Sequence, residues 1–239
     1  MNSNPLKMRS VRRIALAVVA GFALLVGVIW LLIHSLGNTL PLLYAGKPIP
    51  YWQEQLNGHD TSASNEAFAM VKSQVIPQLI DRMFHDTNDS SVRILLVEAL
   101  NTLPNVQIYF TQADGRRVYA AQSIGELGPG AQSAVPALLQ ALKGQDAVVH
   151  GAVIAALGKI HSDPQVVIPL LIGYLEDENL NEEAALALAN YGSRAKVAVP
   201  KIIPMLHAKD KGARFAATKA LKQIDPDAYL SATKPEQGR

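Results

Sequence analysis

The side chains best able to do chemistry are scattered along the chain. The six histidines, at 34, 59, 85, 150, 161 and 207, form no H-E-x-x-H pair, and none sits at metal-binding helical spacing from another. The absence of cysteine removes disulfides, thiol nucleophiles and thiolate metal ligands. Glu176, Asp177, Glu178, Glu182 and Glu183 form an acidic cluster. They lack the loop spacing of a calcium site and suit the start of a helix, where acids complement the positive end of the dipole. Lys209, Lys211, Arg214, Lys219 and Lys222 form a basic patch that reads as a solvated end cap. No G-x-S-x-G and no phosphate-cradling glycine loop occurs, and Gly125 to Gly130 reads as a helix end. The chain is therefore expected to bind rather than catalyse, with no cofactor and no metal.

Charge is unevenly placed. Residues 1–40 hold Lys7, Arg9, Arg12 and Arg13 and no acid, which leaves the remainder with a net charge of −2. A polyphosphate partner needs a broad positive surface, so nucleic-acid binding is not expected.

Ile14 to Ile33 is a run of 20 residues without a charge or a strongly polar side chain. A helix needs about 20 such residues to cross the hydrocarbon core of a bilayer. The run exceeds a signal-peptide core, and His34 to Asn38 offers no small-residue cleavage site, so an uncleaved anchor is expected. Four basic residues precede it and the next one after it is Lys47. The positive-inside rule then places the N-terminus in the cytoplasm and the rest outside it, which in a Gram-negative cell means the periplasm. Leu36 to Pro50, with Pro41, Pro48, Pro50, Gly37 and Gly46, reads as an extended tether.

The elements that must carry any site come from internal repetition. Residues 116–127, 149–160, 180–191 and 213–224 align, their ninth positions being Ile124, Leu157, Leu188 and Leu221 at steps of 33, 31 and 33. The fifth positions are Ala120, Val153, Ala184 and Ala217, and the twelfth are Leu127, Ile160, Tyr191 and Ile224. Positions 5, 9 and 12 share one helical face. Between these B helices lie A segments with Pro136, Pro169 or Pro200 in register. Proline suits a first helical turn. Asp163-Pro164 equally allows an earlier start there, with Pro169 as a kink. Val75 to Ile80 reads as an earlier helix A and Val92 to Leu100 as its helix B. Asn105 to Gly115 reads as an irregular helix or a loop, and residues 62–73 as a helix capping the stack. A single pair cannot bury its apolar face, and stacked neighbours can.

The B segments resemble the HEAT-repeat consensus, V-R-x-x-A-A-x-A-L-G-x-I-G. Val149, Ala156, Leu157, Gly158 and Ile160 match it, as do Arg117, Ala120, Ala121, Gly125 and Gly128-Pro129, with Arg93 and Arg214 at the arginine position. The third repeat departs from it at Asn181 and Ala189. The resemblance covers about residues 75–225. Tyr44 to Trp52 is also similar to a G-K-x-x-x-x-W lead-in of some bacterial HEAT-repeat proteins, which implies that Trp52 packs on the first helices.

The resemblance implies an all-α fold, a right-handed α-solenoid of HEAT-type helical hairpins, and the apolar run at 14–33 places a single transmembrane helix before it. The expected organisation is a basic tail (1–13), the membrane helix (14–33), a tether and lead-in segment (34–61), the solenoid (62–225) and a C-terminal tail (226–239). It further implies a non-catalytic scaffold that binds another protein through the exposed side of the B helices. Tyr119, Gln122, Glu126, His150, Lys159, Glu182, Asn190, Phe215 and Lys219 are the candidates there. A bilin-lyase-like HEAT enzyme or a nucleic-acid binder is the alternative. The chain shows no distinguishing site for the first, and its charge argues against the second.

Overall fold

A computed structural model of the chain describes residues 43–57, 61–87, 89, 91–102, 111–144 and 146–234, together with Gly27. The expected membrane helix at 14–33 lies outside the described residues apart from Gly27, as do the basic tail, residues 103–110 and the last five residues. Among the described residues, no helix is long and apolar enough to cross a membrane. Contacts divide the chain into two units: Leu43–Asn88 with Gln112–Arg239, and Met1–Leu42 with Asp89–Thr111.

The larger unit opens with a short antiparallel ribbon, β1 (Leu43–Tyr44) and β2 (Lys47–Pro48). Its two-residue turn places Ala45 and Gly46 at φ 49° and 77°. Positive φ at both central residues is what the twist of such a hairpin demands. Helix α1 (Ile49–Asn57) follows at once. Trp52 Nε1 donates to the Tyr44 carbonyl at 2.9 Å, folding the helix back onto the strand. The described part of the expected tether is thus folded rather than extended. Pro48 ends a strand and Pro50 sits in a first helical turn, where neither needs to donate.

Helices α2 (Thr61–Met70) and α3 (Ile76–His85) are joined by a π turn at Val71–Val75, in which the Ile76 amide reaches the Val71 carbonyl. Pro77 lies one residue beyond. Its missing N–H and its ring, which would crowd a carbonyl four residues back, favour a widened turn over a regular one. The expected capping helix at 62–73 is therefore the first part of a longer helix. In the smaller unit, α4 spans Ser91–Asn101.

The aligned B segments are all helices: α5 (Ala113–Glu126), α7 (His150–Ile160), α9 (Asn181–Asn190) and α11 (Lys211–Ile224). Their fifth, ninth and twelfth residues are at most 3% exposed. Helix α5 begins at Ala113, so Gly115 belongs to it. Each B helix packs along the next, and α3 packs along α5 in the same way although it reads as a helix A.

The A segments between them are less regular. A 3-10 turn at Gly128–Ala134 leads into α6 (Val135–Ala141), with Pro136 in its first turn. Helix α8 runs from Pro164 to Tyr174 with Pro169 inside it, so the earlier of the two possible starts is taken. A 3-10 turn at Gly192–Ala198 leads into α10 (Val199–Ile202). Pro204 has no amide to continue the α pattern, and Ile203–His207 goes on as 3-10. The last helix, α12 (Pro226–Thr233), lies in the expected C-terminal tail. Asp225 caps it by accepting from the Ala228 amide at 3.2 Å. That amide, with Lys196 beside it, holds the Asp225 carboxyl below the usual range.

Backbone contact sets the helix spacing. A Cβ on Gly125 would lie 2.7 Å from the Ala156 Cα, and one on Gly158 would lie 2.7 Å from the Ala187 Cα. The tenth residue of one B helix thus sits against the eighth of the next, and at Gly125 and Gly158 there is no room even for a Cβ. Gly158→Val should cost about 1–3 kcal/mol through overpacking. Gly173→Ala, inside α8 with nothing within 4 Å, should stabilise by up to about 1 kcal/mol. Ser123→Ala should be neutral or stabilising, because that fully buried hydroxyl has no hydrogen-bond partner. Denaturant titration of the three variants in detergent checks the order.

Candidate functional site

The expected binding residues do not share one environment. Tyr119, Gln122 and Glu126 line the outer side of α5, Lys159 and Asn190 follow on α7 and α9, and Phe215 and Lys219 lie on α11; all seven are exposed. His150 and Glu182 are half-buried. The eleventh positions make a polar row of Glu126, Lys159, Asn190 and Gln223 across consecutive helices, all exposed. The seventh positions make a second row of Gln122, Ala155, Leu186 and Lys219. Its two central residues are half-buried aliphatics, one small and one large, that the expected list lacks. The signal was present, since Ala155 and Leu186 share a register column with Gln122 and Lys219. Each sits in an apolar run, where inward and outward residues look alike.

His150 belongs instead to the second-position column, with Arg117, Asn181 and Arg214. Arg214 donates from Nη1 to the carbonyls of Ala208 at 2.6 Å, Lys209 at 2.7 Å and Asp210 at 3.1 Å, closing the turn before α11. Arg117 donates to the Asp86 carbonyl at 3.2 Å, pairs with Asp114 at 2.7 Å and lies 3.2 Å from Asp146. At its two arginines the column ties a helix to backbone carbonyls outside it. His150 stands in it with its Nε2 buried and unpaired.

Glu182 is likewise taken up by the fold. Its carboxylate lies against Gly212 in the first turn of α11, so close that a Cβ there would collide with it. The positive end of the helix dipole favours an acid at that place. Glu176 pairs with Lys201, whose hydrogen bond and charge hold its carboxyl below the usual range. Asp177 accepts from the Asn179 amide at 2.9 Å, closing the turn before α9. In the basic patch, Arg214 is spent on its turn, and the Lys222 ammonium stands 5.0 Å from the Tyr229 ring centre. Glu176, Asp177 and Glu182 in the acidic cluster, and Arg214 and Lys222 in the basic patch, thus meet partners within the fold.

His161 acts as the turn residue its position suggests. It adopts φ 57° where the neighbouring repeats place Gly128 at 56° and Gly192 at 55°. Its ring meets Tyr191 edge-on, 5.9 Å between centres. The Tyr191 hydroxyl donates toward the Ser162 carbonyl at 2.8 Å, with the Leu157 carbonyl at 3.3 Å. Burial pushes Tyr191 up to about 12, against the pull of Arg194, and Asp163 adds to the rise. A folded value above the unfolded one, about 10, means the stabilisation is whole below pH 10 and is lost as pH climbs toward 12. Stability measured by denaturant titration across that window should fall, and Tyr191→Phe should lessen the dependence.

Arg116 and Asp86 form a two-pronged ion pair at 2.8 and 2.6 Å, with the Arg116 residue 6% exposed. It ties the end of α3 to α5. Trp52, at 6% exposed, packs into the start of the unit as the lead-in resemblance implies. Breaking a buried pair leaves one charge uncompensated, so Asp86→Ala should cost about 3–5 kcal/mol. Asp114→Ala removes an acid that is largely solvated and should cost under about 1 kcal/mol. Paired denaturant titrations measure the difference.

Residues 112–182 match the family described as HEAT repeats. No curated protein matches the chain. The matched stretch takes in α5 to α8 and the first residues of α9, and it supports a HEAT-repeat protein with the helical scaffold for protein interaction that such repeats suggest.

Proposed function

We propose that the chain is a non-catalytic interaction scaffold, a right-handed α-solenoid held at a membrane by residues 14–33 with its repeats outside the cytoplasm. It binds another protein across the outer side of the B helices. One observation carries this reading: the rows at the seventh and eleventh positions run across four consecutive helices and place Ala155 and Leu186 between polar neighbours. An apolar centre with a polar rim is the general anatomy of a protein interface. Here the centre is small, with Leu186 as its one large side chain. Glu176, Asp177, Glu182 and Arg214 are engaged within the fold itself, which favours binding over catalysis. Tethering is supported by the 20-residue apolar run and by the four basic residues before it.

The test uses the full chain with Lys159→Glu, Asn190→Lys and Lys219→Glu combined; Glu182 is left alone because α11 rests on it. A partner captured by the native chain should be recovered at least about tenfold less well by the variant, since mismatched charges at an interface rim suppress binding. Equal recovery would sink the proposed face. Carbonate washing of membranes should leave the chain in the pellet, and protease added to right-side-out vesicles should remove the repeats. A chain released by carbonate, or repeats protected from protease, would refute the tether or its orientation.

A further inference from the structure

Helices α1 and α2 pack against each other, and a cavity of about 300 Å³ opens between them. That is the small end of the range for ligand sites, roughly 300–1,000 Å³. Tyr51, Trp52 and Gln55 line it from α1, and Glu66, Ala67 and Met70 from α2. Both sets follow the spacing i, i+1, i+4, which keeps three side chains on one side of a helix. The Tyr51 and Trp52 rings meet edge-on, 5.2 Å between centres and 84° between planes. Two rings at right angles make a corner in which a guest meets both π faces. The one donor of Trp52, Nε1–H, is engaged by the Tyr44 carbonyl at 2.9 Å. The indole therefore offers the cavity only ring surface, and Ala67 beside it adds no more than a methyl group.

This lining suits a cation. The face of an aromatic ring is negative and attracts positive charge. Tyr51 already draws one within the chain: the Lys47 ammonium stands 5.2 Å from its ring centre, although Lys47 is no part of the cavity wall. Glu66 supplies a carboxylate. It is exposed, and among the described residues no lysine, arginine or histidine pairs with it. Gln55 can turn its amide oxygen inward, and Met70 adds a polarizable thioether. A primary ammonium is strongly hydrated and needs acceptors for three protons. Here acceptors are few and aromatic and thioether surface is ample. We propose that this cavity binds a methylated ammonium group, held in the corner of the Tyr51 and Trp52 rings with the Glu66 carboxylate as its counter-ion. The proposal stands apart from the protein-binding face and does not depend on it. The group belongs either to a small free molecule or to a methylated lysine of a polypeptide, and the two share this chemistry.

The test follows the N-methyl proton resonance of choline against the full chain in a maltoside detergent, whose headgroup carries no ammonium. Choline should bind saturably. Neohexyl alcohol, in which carbon replaces the nitrogen and the charge is gone, should bind at least about tenfold more weakly. Glu66→Gln should weaken choline about threefold, the loss typical of one exposed charge pair. Tyr51→Leu should weaken it about threefold or more, the loss of one cation–π contact. Glu66 is exposed, so Glu66→Gln should melt with the native chain and keeps the test decisive should Tyr51→Leu pack poorly. A short peptide carrying trimethyllysine that binds tighter than choline points to a polypeptide source, and equal or weaker binding points to a free molecule. Absence of saturable choline binding, equal binding of the uncharged alcohol, or undiminished binding to Glu66→Gln would each overturn the proposal.

Discussion

The near-contact of helix backbones governs the larger unit. Gly125 against Ala156 and Gly158 against Ala187 bring neighbouring helices so close that no larger side chain fits between them. This explains the composition of the interior, in which Ala120, Ala121, Ala184, Ala185, Ala216, Ala217 and Ala220 are all fully buried. Small residues bury little area each. They gain stability through dense contact along the whole helix length, and that gain requires a neighbour on each side. Separation and packing thus come from one set of positions, while the opposite side of each helix is free to carry other chemistry.

That division explains what could be read from the amino-acid order. The four B helices follow from a face repeated every thirty-odd residues, because burial on that face leaves a periodic trace. Irregular elements leave weaker traces. The π turn before Pro77 and the 3-10 continuation through Pro204 both arise where proline withholds an amide, yet proline alone does not specify which distortion follows. The ribbon at Leu43–Pro48 was hidden by a density of proline and glycine that suggests an extended chain. Its decisive feature is the bond from Trp52 to the Tyr44 carbonyl, a contact eight residues apart that no periodic pattern encodes.

The candidate site was less legible, for a related reason. Outward-facing polar residues look alike in sequence whether they meet water, a partner or the next turn of the same chain. His150 and Glu182 were placed with the exposed group, but one stands in the second-position column and the other lies on the start of α11. The meeting of the Arg82 guanidinium with the Tyr44 ring depends on the ribbon returning to α3, and so appears only once that fold is known.

The second-position column has a mechanical consequence. Arginine occupies it at α5 and α11; Arg214 grips the carbonyls of the turn just before its own helix, while Arg117 reaches the Asp86 carbonyl at the end of α3 and the Asp146 carboxylate before α7. At α7 and α9 the occupants are His150 and Asn181, and in the turns before them the Asp146 carboxylate accepts from the Val148 amide and the Asp177 carboxylate from the Asn179 amide. One long guanidinium at this register therefore fastens backbone that lies outside its own helix. At the last B helix a single side chain secures three successive carbonyls, so loosening it would slacken the whole stretch from Ala208 to Asp210 rather than one bond.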